Sequence, residues 1–257
     1  MPNKHTSEMV RLHAISCLPP SDTNKDSIHE LTKDYISRIA EWQNKLYASR
    51  KNAILVIFQG MDGSGKDSVS NNVFSKCNAC GLQVQSFKKP TEEELAHDFL
   101  WRVQKNAPEK GKIGIFIRSH YEDILIQRVH HWIDEARVDS RIAAINAFEK
   151  LLQDDNQTCI LKFYLHISKE EQRRQLTERI EDPEKRWKHS DDDWKEREHW
   201  SKYMAAYEDI LNRSELKWTI VPSDKRWYRD YIVAKTICEA MEKLQLRYPE
   251  IEIRFKP

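Results

Sequence analysis

The run AILVIFQGMDGSGKD, residues 53 to 67, sets a Walker A pattern directly behind an apolar stretch, and this leaves the chain little choice of fold. Gly60, Gly65 and Lys66 fill the G-x-x-x-x-G-K spacing, and Gly63 adds freedom between them. A loop that turns its N–H groups inward around phosphate oxygens needs positive φ angles and a close backbone approach, which a Cβ obstructs. The lysine adds a mobile point charge, and a helix beginning near Gly65 aims its positive end at the anion. The strand before the loop and the helical VSNNVFSKCNAC after it are what distinguish a phosphate cradle from a bare glycine turn. Gly60, Met61, Gly63, Ser64, Gly65, Lys66 and Asp67 are therefore the expected phosphate contacts.

The position after Lys66 normally carries a Ser or Thr whose hydroxyl meets Mg²⁺; here it is Asp67. A hard cation still needs oxygen, and Asp62 inside the loop offers a carboxylate. Asp62 is the first metal candidate, with an Asx turn onto loop N–H groups as the alternative.

Strand-like and helix-like segments alternate along the rest of the chain. After a polar leader, Ser27 to Glu30 reads as a capping box opening a helix through Leu31, Tyr35, Ile39, Trp42 and Leu46. AILVIF is the first strand, and the helix after the loop should run to Gly81. A second strand lies near QVQSF, and Thr91 with Glu94 caps a helix through Leu100 and Trp101. KIGIFI is a third strand, followed by the helical HYEDILIQRVHHW. CILKFYL is a fourth, Ser168 with Glu171 caps another helix, and KWTIV is a short fifth strand before a closing helix through Trp227, Ile232, Ile237 and Met241. Apolar strands with helical connections imply an α/β fold with a parallel five-stranded sheet covered on both faces.

In such a sheet, ligands sit at the carboxyl ends of the strands. The loop ends strand one, Lys88 and Lys89 end strand two, and Arg118 to Tyr121 end strand three, so three polar clusters converge. Residues 168–200 read as a helix, a charged break at Asp182-Pro183 and another helix. An Arg-bearing hairpin of this kind closes over phosphates in nucleotide kinases, although composition fits an ordinary exposed hairpin equally well. Trp187 and Trp194 in it are expected as packing anchors.

The expected organisation is a leader at 1–26 and a single domain at 27–257 with the lid at 168–200. Basic and acidic residues number 42 and 41, which argues against a nucleic-acid coating role, and no apolar run approaches the ~20 residues that span a bilayer. The N-terminus lacks a secretory core, and five cysteines are odd in number, so a cytoplasmic, reducing compartment is expected. Cys77 and Cys80 form one CxxC without a second pair and are expected as thiols rather than zinc ligands.

GMDGSGKD, SFKKPTEEELAHDFLWR (86–102), GIFIRSHYEDIL (114–125), INAFEKLL, LKFYLHISKEEQ and DPEKRWK together resemble the polyphosphate kinase 2 family, over about Lys45 to Glu250. The RSHYED form is most similar to members that act on both nucleoside mono- and diphosphates. The resemblance implies a three-layer αβα P-loop kinase fold with a helical lid. It also implies Mg²⁺-dependent transfer, Mn²⁺ being the possible substitute, of the terminal phosphoryl group of inorganic polyphosphate to a nucleotide, AMP or ADP, GMP or GDP, in a homodimer or homotetramer. By the same resemblance Lys66 and the loop are the phosphate cradle, Asp62 the Mg²⁺ and catalytic carboxylate, and Arg118 the Walker B arginine. Lys88, Lys89 and Arg102 match basic positions along the phosphate-binding region, and Arg179 and Lys188 match the lid. Two positions depart: Ser68 replaces a glycine, and Ile117 stands where the family carries Asp or Asn. Ile117 offers a metal no oxygen. Glu122 or Asp123 one turn on could supply the acid, or serve as helix N-terminal charges.

Overall fold

The protein is described here by a computed structural model covering residues 9–250 and 252. The first eight residues of the expected leader, and residues 251 and 253–257, lie outside the described residues. Five strands, β1 (Ala53–Gln59), β2 (Leu82–Ser86), β3 (Ile113–Ile117), β4 (Thr158–His166) and β5 (Trp218–Pro222), form one sheet in the order β2-β3-β1-β4-β5. Every pairing is parallel. β1 is central and buried at all seven positions, as an apolar run without alternation requires.

Among the described residues ten α-helices accompany the strands: α1 (Lys25–Ser49), α2 (Lys66–Val73), α3 (Glu92–Leu95), α4 (Trp101–Gln104), α5 (Glu122–Val129), α6 (Glu135–Asp154), α7 (Lys169–Glu181), α8 (Asp191–Glu198), α9 (Trp200–Arg213) and α10 (Arg226–Lys243). On one face Ile39 and Leu46 of α1, Val69 and Val73 of α2, and Val233, Ile237 and Met241 of α10 share a core with inward residues of the sheet. The other face packs against α5, α6 and α9 through Ile124, Val138, Ile142, Tyr207 and Ile210. These are three layers, helix on sheet on helix.

Several boundaries differ from the sequence reading. Helix α1 starts earlier because Asn24, not Ser27, is its cap: the Asn24 carboxamide oxygen accepts from Ser27 N at 2.9 Å. Helix α2 stops at Val73 rather than Gly81. Gln43 of α1 bonds both backbone groups of Asn78, at 3.1 and 3.2 Å, so tertiary bonds replace the helical ladder there. Gly81 is a close-approach residue instead, since a Cβ on it would sit 1.7 Å from Gln43 Nε2. The Thr91–Glu94 capping box forms, but its helix ends after Leu95, and Asp98 accepts from Leu100 N before α4 begins. The long helices α6 and α9 were not singled out from the sequence. Their caps are plain after the fact only for α6, where Asp134 accepts from Arg137 N.

The described part of the leader lies along the domain. Asn212 bonds both backbone groups of Val10 (2.7 and 3.0 Å), Leu12 N donates to Glu208, and the Leu12 side chain is buried beside α9.

Candidate active site

The Walker A segment folds as its glycines require. Gly60, Gly63 and Gly65 all have positive φ, at 148°, 84° and 88°. A Cβ on Gly60 would meet the Leu165 carbonyl at 2.7 Å, and one on Gly65 would meet Arg229 Nη1 at 2.0 Å. Gly65 is the N-cap of α2, so the helix's free N–H groups open onto the loop. Beneath the loop, buried Arg229 pairs with Asp230 at 2.7 Å. Lys66 is buried, and its Nζ donates to the Gly60 carbonyl at 2.7 Å and to the Met61 carbonyl at 3.2 Å. The Ser64 hydroxyl is buried without a hydrogen-bond partner among the described residues. A phosphate or a hydrated cation is the kind of group that satisfies it. Met61 is core, packed with Tyr121 and Ile124, so its backbone alone faces the loop; Asp67 is exposed on the first turn of α2.

Asp62 projects from this loop toward two cations. Arg118 Nη2 lies 2.5 Å from its Oδ1, and Lys66 Nζ lies 3.9 Å from the same atom. Burial pushes the Asp62 carboxyl up, but Arg118 and Lys66 outweigh it and hold the group below the ordinary carboxylate value. Arg118 is raised by Asp62 in turn, whereas Lys66 is lowered, because burial outweighs the attraction of Asp62. The pair is thus charged on both sides.

Sheet register brings the neighbouring strand ends level with the loop. Ile117 pairs with Phe58 and with Ser86, Arg118 N donates to the Phe58 carbonyl, and Phe87 N donates to the Ile117 carbonyl. Arg118 takes the left-handed conformation, φ 62°, which turns the chain out of β3. Lys88 and Lys89 follow β2 and are exposed, and their ammonium groups make no hydrogen bond or ion pair among the described residues. Glu122, at the start of α5, accepts from Gln59 Nε2 at 3.0 Å.

Two of the residues singled out above are buried. Arg102 does not present its charge to solvent: it is 5% exposed and bound to Asp123, Glu94 and the Lys88 carbonyl. Asp123 is correspondingly occupied and is no spare acid for a metal. Ile117 does not face the loop as an open position; it is buried in the core shared with Val69 and Val73 of α2.

The segment expected as a lid is a hairpin of α7, a 3-10 turn at Arg186–Lys188, and α8. Its inner helix rests on the cradle, where Gln172 Nε2 donates to the Asp62 carbonyl at 3.0 Å. Arg197 of α8 holds Gln172 from behind at 2.8 Å. Arg179 pairs with Asp193 at 2.5 Å and donates weakly to the Lys188 carbonyl at 3.4 Å. Asp193 is raised by burial first and then by the charge of Asp62, which places it within the field of the cradle. Lys188 lies over the Trp187 ring, 4.9 Å from its centroid. Trp187 is no packing anchor: it is 78% exposed at the hairpin tip, while Trp194 is half-buried. Gln172, Asp193 and Arg229 are site residues that sequence reasoning passed over. Arg229-Asp230 within an apolar helical repeat was a usable signal; nothing marks Asp193 among its two acidic neighbours.

Among the described residues no group of three or more His, Cys, Asp or Glu side chains gathers as a metal site. Asp62 still suits Mg²⁺, an ion that keeps several waters and binds through one or two carboxylates plus substrate phosphates rather than in a protein cage. Mn²⁺ accepts the same ligands. No helix of the described residues is long and apolar enough to cross a membrane.

The signature described as Polyphosphate kinase 2 (PPK2) matches residues 22–249. The AMP/ADP-polyphosphate phosphotransferase of Meiothermus ruber is 43% identical over 218 residues, covering 84% of this chain and 81% of that one. The ADP-polyphosphate phosphotransferase of Rhodopseudomonas palustris is 42% identical over 246 residues, covering 90% and 85%. Among solved structures, polyphosphate kinase 2 from Arthrobacter aurescens TC1 superposes with a TM-score of 0.92 at 38% identity, over 97% of this chain and 91% of that one. Full-length likeness in both sequence and backbone, added to a cradle built as its glycines demanded, settles the lineage: this chain belongs to the polyphosphate kinase 2 family.

Proposed function

We propose that this protein transfers the terminal phosphoryl group of inorganic polyphosphate to nucleoside mono- and diphosphates, AMP and ADP or GMP and GDP. The observation that carries this reading is the convergence at one end of the sheet: Lys66 and Asp62 after β1, Lys88 and Lys89 after β2, Arg118 after β3. Phosphoryl transfer asks little covalent chemistry of a protein, only alignment and positive charge around an oxyanion-rich transition state. Lys66 and the loop amides orient phosphate oxygens, and Arg118 offsets the charge that develops between donor and acceptor. Asp62 would hold Mg²⁺, with Mn²⁺ able to replace it; bound there, the ion would supply positive charge to phosphate oxygens. Exposed, unpartnered Lys88 and Lys89 suit a long polyanion, which needs an open track rather than a closed pocket. Arg179 and Lys188 on the hairpin would close over the phosphates and exclude water.

We further propose a cytoplasmic homodimer or homotetramer, a reading supported by five free thiols and by exposed Val84 on edge strand β2. Purified protein with Mg²⁺, given polyphosphate and one of AMP, ADP, GMP or GDP at a time, tests the activity. Product formation from polyphosphate supports it. Transfer from ATP to a monophosphate, with none from polyphosphate, would replace it with an ATP-dependent nucleotide kinase.

A further inference from the structure

Arg102 sits where a phosphate ligand would be sought, yet both ends of its guanidinium are already taken. Nη1 donates to the Lys88 carbonyl at 2.9 Å and lies 3.7 Å from Glu94 Oε2. Nη2 donates to Asp123 Oδ2 at 3.1 Å. Its carbon lies 5.5 Å from the centroid of the Phe87 ring, and the backbone carbonyl accepts from Asn106 at 2.7 Å. Asp123 is itself buried, and Gln127 donates to its second oxygen at 3.2 Å, while Arg141 donates to its backbone carbonyl. One side chain therefore joins the loop after β2, helix α3 and the first turn of α5. In that same turn Glu122 is tied to Gln59 at the end of β1.

We propose that Arg102 is a positioning residue: a buried brace that fixes the Lys88–Lys89 loop against α5 and so sets the two lysines relative to the Walker A cradle. This rests on the reading of Lys88 and Lys89 as the donor track. The geometry requires a fork. A planar guanidinium can bond a carbonyl and a carboxylate at once in fixed directions, whereas an ammonium of the same charge is a single point on a flexible stem. Direct phosphate binding would demand that Arg102 leave Asp123, stranding a buried carboxylate. The lysines, by contrast, carry charge that nothing in the fold consumes.

Full-length protein carrying Arg102→Lys or Asp123→Asn distinguishes brace from contact. For a brace, both variants raise the KM for polyphosphate by about tenfold while the nucleotide KM stays within about twofold, because a small misplacement of track lysines is costly to the donor alone. Lysine keeps the charge and does not rescue. For a direct contact, Arg102→Lys stays near wild type and Asp123→Asn, which frees the arginine, lowers the polyphosphate KM; either result overturns the proposal. Hydrogen exchange of amides 87–95 without substrate is the second measurement. Faster exchange there in Arg102→Lys, with β1 and β4 amides unchanged, supports the brace, and unchanged exchange overturns it. Should the wild type use ATP and not polyphosphate, the functional reading fails while the exchange measurement still decides the brace. Should Asp123→Asn not fold, Arg102→Lys decides alone.

Discussion

The Walker A cradle and the α7–α8 hairpin touch through Gln172 and Asp62, yet they are built in opposite ways. In the cradle, Lys66 is buried, glycines stand where a Cβ would strike Leu165 or Arg229, and β1 beneath is buried throughout. The hairpin buries only Gln172 and Leu176 of α7 and nothing of α8, and its ties to the rest of the domain include solvent-exposed ones such as Arg226 to Gln175 and Glu178, at 2.9 and 3.4 Å. Charge held by close packing keeps one geometry. Charge held by exposed pairs leaves a segment free to open, since such pairs are each worth about 0–1 kcal/mol. A kinase needs both: a cradle fixed enough to align phosphates and a cover loose enough to release product.

The contrast breaks most readily at the cradle. Lys66→Ala should lower turnover by about a thousandfold or more, the scale of losing a preorganised charge at an oxyanion, with little change in melting temperature. Asp62→Asn should follow it and weaken the dependence on Mg²⁺. If steady-state assays found Lys66→Ala at half the wild-type rate, this loop would not be the catalytic cradle.

Arg118→Ala should cost somewhat less turnover, roughly a hundredfold, and should also move the acid limb of the pH profile. Asp62 is held below the ordinary carboxylate value, so the stability contributed by its pairing is fully present above about pH 4 and lost as pH falls through the lowered value. Without Arg118, burial is opposed chiefly by Lys66, and the carboxyl rises. The acid limb of kcat/KM should therefore shift to higher pH in the variant, and the difference in melting temperature from wild type should shrink below pH 4. An unmoved limb would separate Arg118 from Asp62 in solution.

The same division between packed and exposed charge explains what the sequence disclosed. A cradle obeys local stereochemistry, so glycine spacing, an apolar strand and a following helix were enough to place Gly60 to Lys66, and apolar strands joined by helical connections were enough for five parallel strands. A basic residue such as Arg102, placed by resemblance along the phosphate-binding region, looks alike in sequence whether its charge faces solvent or Asp123; only burial separates the two. Helix α2 was read too long because the bonds that hold Asn78 in place of a helical ladder come from Gln43, 35 residues away in sequence. Asp193 was invisible for the same reason: its meaning lies in a neighbour, Asp62, that sequence distance hides.

Ile117 tests how far the rigid part extends. It lies in the core with Val69 and Val73, directly under the first turns of α2. Ile117→Asn should bury an amide without partners and lose apolar packing, for a cost of roughly 1–3 kcal/mol read as a lower melting temperature. The apparent Mg²⁺ requirement should not change. A lower Mg²⁺ requirement with an unchanged melt would instead make position 117 part of a metal site that isoleucine leaves incomplete.

The smallest effect belongs to the hairpin and is informative because it is small. Arg174 forks onto Glu171 at 2.7 and 2.8 Å and reaches Glu178 at 3.4 Å, more hydrogen bonds than Lys66 makes, yet its side chain is 58% exposed. In water such a pair offsets little more than the entropy of holding two long side chains, so Arg174→Ala should change stability by at most about 0.5 kcal/mol and turnover by less than about twofold. Differential calorimetry and steady-state rates at low and 0.5 M salt, an ionic strength at which surface charges are screened within about 5 Å, provide the measurement. High salt should erase even that difference. A loss comparable to that of Ile117→Asn would mean that exposed ion pairs stabilise α7 as firmly as packing stabilises the cradle, and the contrast between the two regions would have to be given up.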